Sequence, residues 1–345
     1  MASDISVVIC VYTEKRWNEI VAAVASAQQQ TLPPKDIIVV VDYNPALLQR
    51  AQENLSGVSV VENRGDKGLS GARNTGWTTA QGEVVAFLDD DAIAEPDWLE
   101  QLAACYTGSE VVGVGGKIVP LWQTQRPSWF PDEFNWVVGC TYRGLPTRTA
   151  RVRNIIGANM SARKDILAAV DGFRESFGCD RGSESASGTL KWFQNSAGDE
   201  ETELCIRVSQ QLPNSMWLYA PAAIVRHQVS AQRTRWSYFL SRCYDEGLGK
   251  ANLVKMHNTD TGLASERNYT LKVLPAGVAR GLAYTLFRLD PSGMSRAGAI
   301  VSGLAATIIG YLVGSISLRI TGFRSATLTS LSRRPTEMPP SVKVQ

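Results

Sequence analysis

Three carboxylates stand in a row at the end of an apolar run: Asp89, Asp90 and Asp91 in VVAFLDDDA. Two like charges about 4 Å apart repel by about 1 kcal/mol in bulk water and by about 4 kcal/mol at an effective dielectric near 20. A bound cation would repay that repulsion. Hard divalent ions are commonly held by one or two Asp oxygens together with substrate phosphates. Asp89 and Asp91 are two residues apart, which puts both on one side of an extended chain. The competing reading is a solvated strand end followed by a helix whose acidic first turn, with Glu95, Pro96 and Asp97, suits the helix dipole. A second acidic group, Asp199, Glu200, Glu201 and Glu203 in GDEETELCIR, reads from its residues alone as a helix N-terminus, with Glu203 paired to Arg207 four residues on.

The elements that must position these groups follow from periodicity. Short β-rich runs at 5–11, 36–42, 58–61 and 83–89 alternate with helical patterns near 16–29, 45–54 and 69–80. That alternation predicts an α/β domain with a mostly parallel sheet and flanking helices. Ligands of such sheets bind beyond the carboxyl ends of the strands, so Tyr12, Asp42 and Asp89 are expected to converge on one crevice. Trp129, Phe130, Phe134, Trp136 and Tyr142 come without a basic stripe. They read as core or cleft wall, and no nucleic-acid partner is expected. The Gly/Ser-rich stretch 179–198 reads as a lid loop.

Composition bounds the class. The chain has 345 residues, 44% of them hydrophobic, with a net charge of +2, ample for a packed core and unlike a disordered chain. Residues 271–345 carry nine basic and two acidic side chains, which leaves the first 270 at −5. A basic end suits a phosphate-rich or membrane-facing surface. Six scattered cysteines without a CxxC pair indicate neither a zinc site nor a disulfide framework, and a reducing cytoplasm fits best. ISVVICVY near the N-terminus reads as a buried strand rather than a signal peptide. Near the other end, 297–318 is 22 residues without a charge, bounded by Arg296 and Arg319 and containing four glycines. That is long enough to span a bilayer. LKVLPAGVARGLAYTLFRL (271–289) suits a helix lying in the membrane interface. The expected division is a domain over 1–255 and a basic, helical, membrane-associating region over 256–345 with a flexible end.

The motifs also carry a resemblance. SVVICVYT with Asp42 on the next strand, GLSGARNTG (68–76), FLDDDA (87–92), GANMSAR with the DGF ending at 173, and GDEETELCIR (198–207) occur in one order and spacing. Together they resemble glycosyltransferase family 2, inverting nucleotide-sugar transferases of GT-A fold, over roughly residues 4–250. IAEPDWLE, WFPDEFNWVVGC and YRGLP are similar to a subgroup that includes archaeal glucosyl-dolichyl-phosphate glucuronosyltransferases, which extend a lipid-linked glycan.

The resemblance implies roles. Val11, Tyr12, Asp42 and Arg73 would serve the donor, Asp42 through the uracil ring and Arg73 near the phosphates. Asp89 and Asp90 would contact ribose and metal, and Asp91 would be the principal ligand of Mg2+ or Mn2+. Glu201 falls on the position of the catalytic base with Glu200 beside it. The family's Glu-Asp pair is Glu-Glu here, so the choice between the two stays open. His227 in IVRHQVS matches a histidine that several GT-A enzymes use as a further metal ligand, although a lone histidine is also a common structural residue. Asn159 in GANMSAR, and Arg235 and Trp236 in QRTRW (232–236), would lie on the acceptor side.

The expected activity is metal-dependent, inverting transfer of a hexose or hexuronic acid from a nucleotide diphosphate sugar, a UDP-sugar by preference. The acceptor would be a lipid-linked or cell-envelope glycan at the cytoplasmic face of the membrane. Two alternatives use the same residues: a membrane-tethered nucleotide-sugar binder without catalysis, and a phosphatase whose nucleophile lies in the Asp cluster.

Overall fold

The computed structural model describes residues 4–175, 200–257 and 267–331, with the side chains of the last helix described as far as Ser317. The expected lid at 179–198 and the expected flexible end from 332 lie outside the described residues. Strands β1 (Ile5–Val11), β2 (Ile37–Val41), β3 (Ser59–Glu62) and β4 (Val84–Asp89) alternate with helices α1 (Trp17–Gln28), α2 (Pro45–Asn54) and α3 (Leu69–Thr79). The four strands are parallel, in the order β3-β2-β1-β4. Val7 and Ile9 join the core on one face and Val8 joins a second core on the other. A parallel sheet buried on both faces needs such near-continuous apolar runs.

Local signals set the helix ends. Asn44 caps α2, its Oδ1 accepting from Leu47 N–H at 3.1 Å, with Pro45 in the first turn. In GLSGARNTG, Gly68 takes φ +127°, and a Cβ on Gly76 would meet Val8 Cγ1 at 2.3 Å. The motif therefore lets α3 lie directly against β1.

The second half adds β5 (Ala92–Ala94), α4 (Trp98–Ala103), β6 (Val111–Trp122), β7 (Ala150–Val152), β8 (Asn159–Arg163), α5 (Lys164–Ala169), α6 (Glu200–Gln211) and β9 (Met216–Val229). β8 runs antiparallel between β4 and β6, β9 lies parallel to β6, and β5 and β7 pair antiparallel with β9.

α7 (Trp236–His257), α8 (Leu274–Arg288) and α9 (Ser292–Leu331) complete the described chain. Phe239 of α7 packs on Phe130 and Phe134, and Phe134 and Trp136 also line a cavity, so the aromatic stretch at 129–136 serves as core and cleft wall. The basic tail does not stand apart. A Cβ on Gly247 of α7 would meet Thr307 O at 2.1 Å, and one on Gly310 of α9 would meet Tyr244 O at 2.1 Å. Glycines on both helices thus permit backbone contact. Arg280 of α8 adds an ion pair to Glu133. On its other side α9 exposes Val301, Ile309, Leu312 and Ile316, each more than half exposed. Ser292–Ser317 is long and apolar enough to cross a membrane.

Candidate active site

Asp89 closes β4, and the chain turns through Asp90 and Asp91 into β5, which pairs antiparallel with β9 so that Ala92 faces His227. Gln228 N–H donates to the Asp91 carbonyl at 2.9 Å. Strand pairing therefore delivers a histidine from far along the chain to the carboxylates. His227 Nε2 lies 3.0 Å from Asp91 Oδ1. One ligand atom from each of Asp89, Asp91 and His227 lies within 4.8 Å of the others. Opposed ligands of an octahedral ion with bonds of about 2.1 Å sit about 4.2 Å apart. Small side-chain movements would close this set on a hard divalent ion, and two carboxylates with one imidazole suit Mg2+ or Mn2+.

Cations surround the cluster. Arg16 lies 2.7 Å from Asp90 Oδ1 and 3.2 Å from Asp91 Oδ2, and Arg233 lies 3.9 Å from Asp91. Burial pushes the Asp90 carboxyl up to about 7 despite Arg16 beside it. Its Oδ2 is buried without a hydrogen-bond partner among the described residues. Burial also opposes charge on Asp91, but the hydrogen bond and charge of His227, aided by Arg16 and Arg233, outweigh it and hold the group down to about 2. Burial likewise opposes a charged His227, and the Asp91 carboxylate reverses the balance, raising the imidazole to about 10. A metal ion held by this set would require the neutral, deprotonated form of His227.

Arg73 on α3 is 3% exposed and links this cluster to the second acidic group. Its guanidinium lies 3.6 Å from Asp89 and 3.1 Å from Glu200, with the Phe173 ring 5.3 Å away. Glu201 follows at the start of α6, where its Oε1 accepts from Gly157 N–H at 3.4 Å. Glu201 and Thr202 also line a cavity of about 480 Å³ that reaches α7, α8 and α9. Glu203 differs: it is fully buried and pairs with Arg207 at 2.9 Å, as the four-residue spacing predicts, and with Arg174 at 3.1 Å.

The other expected site residues make the following contacts. Asp42 sits at its strand end and accepts from Asn63 Nδ2 at 2.7 Å and from Gly68 N–H at 3.0 Å, bracing the turn that leads to α3. Tyr12 is half exposed beside it, and the Val11 side chain lies in the core, 1% exposed. Arg73, expected near the phosphates, is buried and pairs with the carboxylates of Asp89 and Glu200. Asn159, expected on the acceptor side, is fully buried. Its Oδ1 accepts from Trp98 Nε1 at 2.8 Å, and its Nδ2 donates to the Lys117 and Ala223 carbonyls. The Asn159 amide is spent at the junction of β4, β6 and β9. Trp236 packs edge-on against Trp129 at 4.9 Å and stacks on Phe239. Arg235 is exposed at the start of α7, so the arginine of QRTRW that reaches the Asp cluster is Arg233. Sequence reading missed Arg16 and Arg233. Arg16 lay within reach of it, because it follows the carboxyl end of β1, where ligands of such sheets bind.

The family model described as glycosyl transferase family 2 matches residues 6–170. The chain is 31% identical over 324 residues to the glucosyl-dolichyl phosphate glucuronosyltransferase of Haloferax volcanii, covering 91% of this chain and 96% of that one. An uncharacterized glycosyltransferase of Nostoc sp. is 32% identical over 114 residues, 32% of this chain and 35% of that one. Among solved structures, a mannosyltransferase from Pyrobaculum calidifontis in complex with GDP-Man and Mn2+ aligns with TM-score 0.53 at 14% identity, covering 88% of this chain and 86% of that one. At that identity the likeness speaks for the fold. The nearly full-length relative, the family match and the shared architecture leave no room for the phosphatase reading: the chain belongs to glycosyltransferase family 2 and is a glycosyltransferase of GT-A fold.

Proposed function

We propose that the chain transfers a hexose or hexuronic acid, with inversion, from a nucleotide diphosphate sugar to a hydroxyl of a lipid-linked glycan. The observation that carries this is the Asp89–Asp91–His227 set at the carboxyl end of β4, where an α/β sheet receives its ligand. Asp91, Asp89 and His227 would hold Mg2+ or Mn2+ and through it the diphosphate. When bound, the ion supplies stabilisation of the departing diphosphate. Asp42 and Tyr12, at neighbouring strand ends, would receive the base and ribose, and a UDP-sugar is the expected donor.

Glu201 would accept the proton of the attacking hydroxyl. The oxygen–C1 bond then forms on the face opposite the C1–O bond that breaks, and the electron pair leaves with the nucleoside diphosphate. A positioned general base contributes about 10²–10⁴-fold. Glu200, anchored on Arg73, keeps the start of α6 in register with the Asp cluster.

The outward face of α9 supports a membrane location. Monomeric soluble proteins rarely expose a continuous apolar face of this kind, and we place the protein at the cytoplasmic leaflet, where its basic tail meets anionic headgroups. The relative from Haloferax volcanii, named for a dolichyl phosphate substrate, supports the lipid-linked acceptor. The test is product analysis. Detergent-solubilised protein is supplied with Mn2+, a glycosyl lipid phosphate, and UDP-glucose, UDP-glucuronate or GDP-mannose in turn. One donor is expected to release nucleoside diphosphate, with the new linkage inverted at C1 by NMR. A retained configuration, or no acceptor-dependent release with any donor, would overturn the reading.

A further inference from the structure

The cavity that begins at Glu201 differs in character from the carboxylate cluster. Its walls come from α6, α7, α8, α9 and the segments around Phe134 and Arg153. Along α7, Arg242, Glu246 and Lys250 recur every four residues and face it as one stripe, followed by Leu253 and Val254. Lys250 lies 2.9 Å from Glu246. Burial would raise the Glu246 carboxyl, but Lys250, then Arg242 and Arg153, outweigh burial and lower it. Among the described residues, three cations therefore share the wall with two carboxylates, Glu246 and Glu201. The opposite side is apolar, and two of its residues belong to the outer surface as well: Ile308 is 49% exposed and Leu312 54%. The chamber thus connects the base position to the face of α9 that suits lipid. Its volume of about 480 Å³ falls within the usual range for small-ligand pockets.

We propose that this chamber seats the acceptor, and that its occupant is an amphiphile with a phosphate head. The phosphate lies against Arg242, Lys250 and Arg153, the hydrocarbon chain leaves past Ile308 and Leu312 into the membrane, and the attacking sugar hydroxyl reaches Glu201. A cluster of cations in a largely apolar chamber complements an anionic head on an apolar chain. The inference rests on the transferase reading above, since it gives Glu201 its partner, but its test does not depend on turnover.

The full chain in nanodiscs of neutral phosphatidylcholine is titrated with hexadecyl phosphate, farnesyl phosphate, the two parent alcohols and inorganic phosphate, followed by tryptophan fluorescence. The lipid phosphates are expected to bind at least tenfold tighter than the alcohols, and inorganic phosphate is expected not to compete. The double variant R242Q/K250Q is expected to erase the preference for phosphate, and Ile308→Trp, at the mouth, to weaken phosphates and alcohols alike. Equal binding of alcohol and phosphate by the natural protein, full competition by inorganic phosphate, or unchanged binding by both variants would overturn the proposal. Stabilisation by UDP with Mn2+ is measured on every sample. Its retention shows that the variants are folded. Its absence from the natural protein would count against the donor reading and leave the chamber standing.

Discussion

The two acidic clusters, at 89–91 and 200–203, are both largely buried and both ringed by cations, yet they are neutralised differently. In the second, Glu203 is closed off: it is fully buried and held by Arg207 and Arg174. In the first, the carboxylates meet a histidine and two arginines that remain about a quarter exposed. One is an ion-pair network that fixes a helix to its neighbours. The other is a set of donors gathered around a space, with an Asp90 oxygen that has no hydrogen-bond partner among the described residues. Arg73 joins them, touching Asp89 on one side and Glu200 on the other. Acidic residues alone therefore do not mark a site; what the opposing charge can give up does.

Substitutions break this comparison at graded cost. Asp91→Asn removes the central ligand and is expected to abolish turnover and manganese-dependent nucleotide binding while the protein stays folded; near-native rates would end the ligand assignment. Glu201→Gln is expected to lower turnover by about 10²–10⁴-fold with nucleotide binding intact, whereas a loss confined to binding would move the base elsewhere. Glu203→Gln breaks a buried pair and is expected to cost about 3–5 kcal/mol of stability, read by denaturant unfolding. At temperatures where that variant is folded, its turnover should approach normal, and a specific loss of turnover would contradict the structural role. Asn159→Ala orphans the buried Trp98 N–H and is expected to cost about 1–3 kcal/mol without altering the acceptor KM. A raised KM at unchanged stability would return Asn159 to the acceptor side.

The sequence was most legible where periodicity is strong. The runs expected at 5–11, 36–42, 58–61 and 83–89 differ from the observed strands by a residue at most ends, and the helix expected at 45–54 matches α2. The second half resisted because its order depends on antiparallel pairings between distant segments, and a strand such as β6, with three glycines, carries little pattern. The site followed the same division. Asp89 and Asp91 were legible as a cluster. Their partnership with His227 depends on β5 pairing with β9, and the resemblance to a known family supplied it. Arg233 went unseen because QRTRW offers two arginines two residues apart, and the tight turn at Ala231–Thr234 that brings Arg233 to Asp91 has no signal in the sequence period. The glycines of α9 fit close helix packing either in lipid or in a buried soluble helix, and the structure uses Gly310 against α7 of the same chain.

The central claim is that the cluster at 89–91 with His227 gathers a metal and a nucleotide diphosphate. Thermal unfolding of the natural protein and of Asp91→Asn, with UDP and UDP-sugars in Mn2+ or in chelator, tests it directly. Ligand at 100 times its Kd stabilises the native state by about 2.7 kcal/mol, a rise of several degrees for a chain of this size. The account predicts that rise for the natural protein in Mn2+ and its loss in chelator and in Asp91→Asn. An equal rise in chelator, or in the variant, would contradict it.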